Sequence, residues 1–176
     1  MLWHKYHEIA EENEKSFPKE EIPRNLIIER LNRIQTKRTK LVVDMGCGKA
    51  QIAEYFKGNN RFKFENYDHV SINESVISCD ISNLPIEENS VEICILSLAM
   101  WGSNCHEYIK EAYRILETGG SLYIIEPTKR WSVKDENGNI IEGQEAYKLT
   151  KLLEENRFKL VEQHVHKFCM IVCVKI

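Results

Sequence analysis

Apolar residues fall along this chain in two alternating patterns, short β-branched runs and stretches that recur every three or four positions. Runs at residues 40–44, 62–67, 75–79, 91–98 and 121–126 predict five strands, and 91–98 is apolar enough to lie in the middle of a parallel sheet. Residues 158–166 and 168–174 are joined by a tight turn at Lys167. So short a link forbids a parallel crossover, so these two strands are antiparallel. Helical spacing appears at 3–15 and from Pro23 to about Gln35, where Leu26, Ile27, Leu31 and Ile34 recur and Pro23 suits a first helical position. Further helices are predicted at 51–56, stopping at Gly58-Asn59-Asn60, at 107–116, closed by Thr118-Gly119-Gly120, and at 144–156. Asn137-Gly138, a hairpin-turn dipeptide, predicts a protruding ribbon at 130–143. Strand and helix alternate and end in a hairpin. That order predicts an α/β fold, a three-layer sandwich around a mostly parallel seven-stranded Rossmann-like sheet with a C-terminal antiparallel hairpin.

A chain of 176 residues with 43% hydrophobic content supports one core, and no break in composition marks a second. One domain is expected, with residues 1–36 as a helical cap and 37–176 as the core. The N-terminus carries His4, Lys5, His7 and several acids where a signal peptide needs an apolar run, so a soluble intracellular protein is expected, acting as a monomer and without membrane contact. The six cysteines contain no C-x-x-C pair, which argues for reduced thiols rather than a disulfide framework or zinc site. A net charge of −3 excludes a basic footprint over the whole surface. Any nucleic-acid contact is therefore local, with Lys37, Arg38 and Lys40 forming one small basic cluster and Lys129 and Arg130, beside Trp131, another.

The candidate chemistry begins where the first strand ends. Leu41-Val42-Val43-Asp44-Met45-Gly46-Cys47-Gly48 is an apolar run closed by an acid and by two glycines flanking one residue. A dinucleotide fingerprint needs a third small residue where this chain has Gln51. An acid-x-Gly-x-Gly turn without pyrophosphate to cradle suits S-adenosylmethionine, its amino-acid part against the glycine backbone of Gly46 and Gly48. In open α/β sheets ligands lie outside the carboxyl ends of the strands. Asp68 follows the second strand, where a carboxylate accepts from ribose hydroxyls. Asp80 follows the third, where it accepts from an adenine amino group while the Ile81 amide donates to the ring, and Ser97 ends the fourth beneath the reactive centre. Each acid alone reads equally well as a turn residue. Three acids after three successive strands point to a class I methyltransferase.

At these residues the chain resembles the ribosomal RNA-processing protein 8 family, also called nucleomethylin. The resemblance is carried by Trp3-His4-Lys5-Tyr6-His7, the glycine turn, Tyr67-Asp68, Cys79-Asp80-Ile81, Leu98-Ala99-Met100-Trp101-Gly102-Ser103-Asn104 and residues 111–120. It implies cofactor contacts from His7, Gly46, Asp68, Asp80, Ile81 and Ser97, with His7 in a lid over the cofactor, and methylation of adenine N1 in large-subunit ribosomal RNA. It also implies a nuclear or nucleolar location. His4 and His7 lack a further partner at ligand spacing, so no metal is expected. The long basic N-terminal extension usual in the family is not in this sequence, and the 130–143 segment looks longer than the family's.

Methyl transfer from a sulfonium asks the protein mainly to align donor and acceptor and exclude water. Glu126, at the end of the fifth strand, is the candidate to steady the cation formed on adenine, against an ordinary ion-pair role. Trp101, Asn104 and Trp131 are candidate substrate residues, the two tryptophans as stacking partners for an unpaired base or as core plugs. The chain lacks the Asn/Asp-Pro-Pro-aromatic segment that grips an exocyclic amine, which favours a ring nitrogen. Two other readings stay open at this point: a small-molecule methyltransferase, and a cofactor-sensing adaptor without turnover.

Overall fold

All the apolar runs form strands, β1 (Lys40–Met45), β2 (Phe62–Asp68), β3 (Ile77–Ser78), β4 (Val91–Ser97), β5 (Leu116–Pro127), β6 (Phe158–Val165) and β7 (Phe168–Lys175). The helices are α1 (Trp3–Glu14), α2 (Pro23–Asn32), α3 (Gln51–Tyr55), α4 (Cys105–Ile115), α5 (Thr128–Trp131) and α6 (Tyr147–Glu155), with a 3-10 turn at Lys19–Glu21. This computed structural model describes residues 3–176, without the side chains at positions 3, 4, 6 and 7. The strands form one seven-stranded sheet in the order β3-β2-β1-β4-β5-β7-β6. Pairing is parallel from β3 through β5 and antiparallel at β5–β7 and β6–β7. The mostly parallel sheet with its terminal antiparallel hairpin is the architecture that the periodicity predicts.

Burial follows from the pleat. Val42 and Ile93 face one cluster with Ile27 and Leu31 of α2 and Ile52 of α3, whereas Val43 and Cys94 face another with Ile109 of α4 and Leu149 of α6. A central parallel strand is covered on both faces, which is why β1 and β4 read as continuous apolar runs rather than alternating ones. Each fully buried Val, Leu or Ile contributes about 1.5–3 kcal/mol of transfer free energy, so the two clusters supply the main drive for folding. β6 is an edge and alternates in exposure, with an extra residue at the exposed Val161, where pairing slips between Leu160 and Glu162.

Two expectations are corrected. Gly119-Gly120 do not stop α4: Leu116 is already extended and pairs with Val91, and the register then jumps to Ile93–Ser121. The glycines serve this bulge, with Gly119 at φ +83° and Gly120 so enclosed that a Cβ would meet the Glu117 carbonyl oxygen at 2.9 Å. A helix stop and a bulge both demand a left-handed residue, so the sequence signal is the same. The ribbon is also smaller than expected. Asn137-Gly138 does turn the chain, but only one bridge, Lys134–Ile140, forms, because residues 128–131 wind into α5 and carry Trp131 away from any ribbon strand.

One buried cation ties the C-terminus to α4 and β5. Lys175 is 7% exposed, and its Nζ donates to Asn89 Oδ1 at 2.6 Å and to the carbonyl oxygens of Tyr113 and Leu116 at 2.7 Å each. The two carbonyls belong to the last turn of α4 and the residue that follows it, where helical acceptors run out. Burial lowers the Lys175 pKa, yet three acceptors favour the charged form. Lys175→Met should leave both carbonyls unpaired and cost about 3 kcal/mol, given about 1–3 kcal/mol for each buried unsatisfied group. Urea unfolding would register this as a lower midpoint with an unchanged slope; an unaltered midpoint would rule the role out.

Candidate active site

The site forms where the strand order reverses, between β1 and β4. Beyond β1 the chain turns back sharply, and the Tyr67 carbonyl oxygen at the end of β2 accepts from both the Gly46 amide (2.7 Å) and the Cys47 amide (3.0 Å). Gly46 sits at φ +79°, and a Cβ there would lie 2.8 Å from Ala99 Cβ, on the loop after β4. Only glycine combines this backbone with so close an approach. Next, the Gly48 amide donates to Asp68 Oδ2 at 2.8 Å, so the acid that ends β2 braces the turn after β1.

Charge at this point is confined. Asp44 is 2% exposed and its Oδ1 has no hydrogen-bond partner among the described residues. Burial, and secondarily the charge on Asp68, push its carboxyl up to about 7. The same burial, with Asp44 and Asp68 nearby, drives the Cys47 thiol far up, so this cysteine is a packed thiol and not a nucleophile. A buried acceptor without a donor costs free energy unless a ligand supplies one, and a cationic donor suits it best. The ammonium of an amino acid is such a donor, and the glycine cradle leaves room for its backbone-like atoms.

Two cavities share Gly46 and Leu98 in their walls. One, of about 170 Å³, is bounded by Glu11 and Glu14 of α1, Arg24 of α2, and Asp44, Gly48 and Ser97. The other, of about 540 Å³, is bounded by Asp68, Asp80, Ile81, Trp101, Asn104 and Tyr108. Helix α1 closes over the glycine turn through the ion pairs Glu11–Lys49 and Glu14–Arg24, both 2.6 Å. Asp80 uses Oδ1 locally, accepting from the Ser82 amide (2.9 Å) and hydroxyl (2.7 Å), which hold its carboxyl below the ordinary range. The tertiary structure thus brings Asp44, Gly46, Gly48, Asp68, Asp80, Ile81, Ser97, Trp101 and Asn104 to one pair of adjoining cavities. The side chain of His7 lies outside the described residues.

Glu126 and Trp131 stand elsewhere. Glu126 has no exposed surface and lines neither cavity; its Oε1 accepts from the Met100 amide at 2.9 Å, beneath the loop after β4. This corrects the expectation that it touches the acceptor, since an enclosed carboxyl cannot approach a cation in the cleft. Trp131 packs against the main core and is likewise absent from the cleft walls. Two participants, His69 and Tyr108, were not legible in the sequence, and the strained backbone of Leu98 was not either, although its place at the end of the fourth strand was. His69 and Tyr108 line the larger cavity with their polar atoms 3.4 Å apart, and Leu98 adopts φ +52°, an unusual state for a bulky residue, at the point where β4 enters the site. His69 directly follows the strand-end Asp68, which was the one signal available.

Residues 1–171 match the protein family described as "Hypothetical methyltransferase". The chain belongs to this methyltransferase family. Among its relatives, the "25S rRNA (adenine(645)-N(1))-methyltransferase" of Schizosaccharomyces pombe is 38% identical over 59% of this chain and 32% of its own length. The "Ribosomal RNA-processing protein 8" of Dictyostelium discoideum is 35% identical over 89% of this chain and 38% of its own length. The chain therefore spans only about a third of the length of these relatives. In structure, the fold is similar to that of a Burkholderia thailandensis 1,6-didemethyltoxoflavin-N1-methyltransferase solved with S-adenosylhomocysteine. That match has a TM-score of 0.67 at 15% identity and covers 99% of this chain and 85% of the other.

Methyltransferase family membership agrees with the geometry of the turn. Gly46→Ala should preserve secondary structure yet abolish S-adenosylmethionine binding by calorimetry, because the new methyl group must displace Ala99; retained affinity in a folded variant would refute this. The raised carboxyls also set a pH dependence. Asp44 and Glu126, each pushed up to about 7 in the folded protein, contribute stability that is complete below their unfolded pKa near 4 and lost as pH rises through about 7. The unliganded protein should therefore melt higher at pH 5 than at pH 8, and Asp44→Asn should flatten that difference.

Proposed function

We propose that this chain is an S-adenosylmethionine-dependent methyltransferase domain that methylates N1 of an adenine in ribosomal RNA. The observation that carries the cofactor half is the orphaned Asp44 oxygen beside a glycine cradle, with Asp68 and Asp80 aligned along the adjoining cavity. Gly46 and Gly48 would receive the amino-acid part, Asp44 its ammonium, Asp68 the ribose hydroxyls, and Asp80 with the Ile81 amide the adenine. Helix α1 would close the cofactor end, and His7 belongs to that lid by its place in the sequence.

S-adenosylmethionine supplies a methyl activated by a sulfonium, and transfer forms the N1–carbon bond while the carbon–sulfur electron pair passes to sulfur. N1 of a neutral adenine carries a free lone pair, so no proton has to be removed and no strong base is needed. The residues of this chain instead align and shelter the reacting groups. Trp101 is 45% exposed on the cleft wall and suits stacking with an unpaired base, and Asn104 offers an amide beside it. The relatives named as 25S rRNA adenine-N1 methyltransferases support the RNA target. Two features bear on its reach. Among the described residues no helix is long and apolar enough to cross a membrane, and no group of three or more His, Cys, Asp or Glu is placed to hold a metal. A nucleolar location accords with an rRNA target.

Incubation with methyl-labelled cofactor and total RNA, followed by nucleoside analysis, should yield labelled 1-methyladenosine from the large-subunit ribosomal RNA. Label in a small metabolite and none in RNA would overturn the target, and cofactor binding without any transfer would overturn the enzyme. Asp68→Ala should weaken cofactor affinity at least tenfold, because a charged hydrogen-bond acceptor contributes about 1.5–3 kcal/mol. Binding of cofactor below pH 7 should release a proton as Asp44 ionises against the ammonium, detectable by calorimetry in buffers of different ionisation enthalpy.

A further inference from the structure

Among the described residues Arg130 Nη1 is buried without a hydrogen-bond partner, whereas on neighbouring positions the Trp131 side chain bonds to the Glu126 carboxyl and the Thr128 side chain to Cys169. A buried guanidinium nitrogen without a partner is rare in folded proteins and asks for a physical reason. Two aromatic rings beside the Arg130 guanidinium supply one. The central carbon of the guanidinium lies 4.7 Å from the ring centroid of Trp101 and 5.5 Å from that of Trp131. Both are within cation–π range. Trp101 lines the larger cavity and is 45% exposed, whereas Arg130 does not line that cavity and its Nη1 is enclosed, which fits a guanidinium stacked on the indole away from the cleft. Trp131, packed on the core, backs the guanidinium in turn.

The loop that carries Trp101 is held at several points. The Trp101 indole N–H donates to the Leu98 carbonyl oxygen, and the Met100 amide donates to Glu126 Oε1 at 2.9 Å. Glu126 also feels the positive charge of Arg130, which lowers its pKa against the larger effect of burial. Glu126 therefore supports the loop through the Met100 amide.

We propose that Arg130 is a positioning residue for the acceptor, fixing the Trp101 indole from behind so that an unstacked purine is presented to the cleft, with Glu126 anchoring the loop that carries Trp101 through the Met100 amide. Arginine suits this place because its planar, weakly hydrated cation stacks on aromatic faces, whereas a lysine ammonium is a compact point charge. The proposal rests on the RNA-adenine reading above.

The test is steady-state methylation of an RNA oligonucleotide carrying the acceptor adenine by wild type, Arg130→Met, Arg130→Lys, Trp101→Ala and the Arg130→Met/Trp101→Ala double variant. Cofactor affinity, near-ultraviolet circular dichroism and salt dependence are recorded for each. Arg130→Met is expected to raise the RNA KM about tenfold, the size of a partly desolvated cation–π contact, with cofactor affinity within about twofold. Arg130→Lys should fall between wild type and Arg130→Met. The double variant should be no worse than Trp101→Ala alone, because residues acting as one unit are not additive. Arg130→Met should also alter the tryptophan dichroism of the free protein, and that alteration should vanish in the Trp101→Ala background. Additive losses with a smaller salt slope would overturn the proposal in favour of a direct phosphate contact, and so would an unchanged KM. If Arg130→Met does not fold, Arg130→Lys carries the test, with an intermediate KM as support and an unchanged one as refutation. Cofactor binding by wild type without transfer to any RNA would sink the RNA reading itself, and this proposal with it.

Discussion

The Tyr67 carbonyl oxygen accepts two consecutive amides, from Gly46 and Cys47, and that pair of bonds bends the chain at the end of β1. The bend has to be left-handed, because a chain leaving a parallel strand must turn at once to return over the sheet. Gly46 meets the demand with φ +79°, and its missing side chain lets the loop after β4 approach. Everything in the site is set from this point. The turn delivers the Gly48 amide to Asp68, leaves Asp44 Oδ1 buried without a partner among the described residues, and draws Ala99 against the glycine. A shift of this turn would move both cavities together, since Gly46 and Leu98 belong to each.

Two buried carboxyls show how the same physical cost is put to different uses. Asp44 and Glu126 are both pushed up to about 7 by burial. Around Asp44 the second influence is another acid, Asp68, which adds to the cost and leaves an acceptor suited to an incoming cation. Around Glu126 the other influences are favourable, the Met100 amide foremost, then the positive charge of Arg130 and the Trp131 side chain, and they reduce the cost and make the carboxyl a strut. Neighbours alone separate a ligand site from a support. The distinction explains why a strand-end glutamate read from sequence as an acceptor contact stands beneath the loop instead.

Legibility in the sequence followed the range of the forces involved. Strands β1 and β4 were readable because burial on both faces of a parallel sheet leaves an uninterrupted apolar run. The terminal hairpin was readable because two runs joined at Lys167 have no room for a crossover. Gly119-Gly120 were misread because a left-handed residue serves a helix stop and a bulge equally, and only the pairing of Val91 with Leu116 tells them apart. The ribbon was overread for a similar reason. Asn137-Gly138 specifies a turn, but the length of the flanking strands depends on whether residues 128–131 prefer to wind into a helix against the core.

By itself the sequence determined the order of strands and helices, the glycine turn with its acid, and the acids after β2 and β3, since each depends on residue type over a few positions. It also carried the family through short segments such as Cys79-Asp80-Ile81 and the loop from Leu98 to Asn104. Only the tertiary structure decided which side chains share a wall. His69 and Tyr108 meet across 39 positions, Gly46 and Ala99 across 53, and Arg130 reaches Trp101 from the far end of β5. Such meetings depend on strand order and on the angle at which loops leave the sheet. Those are properties of the whole packed chain, and no local pattern encodes them.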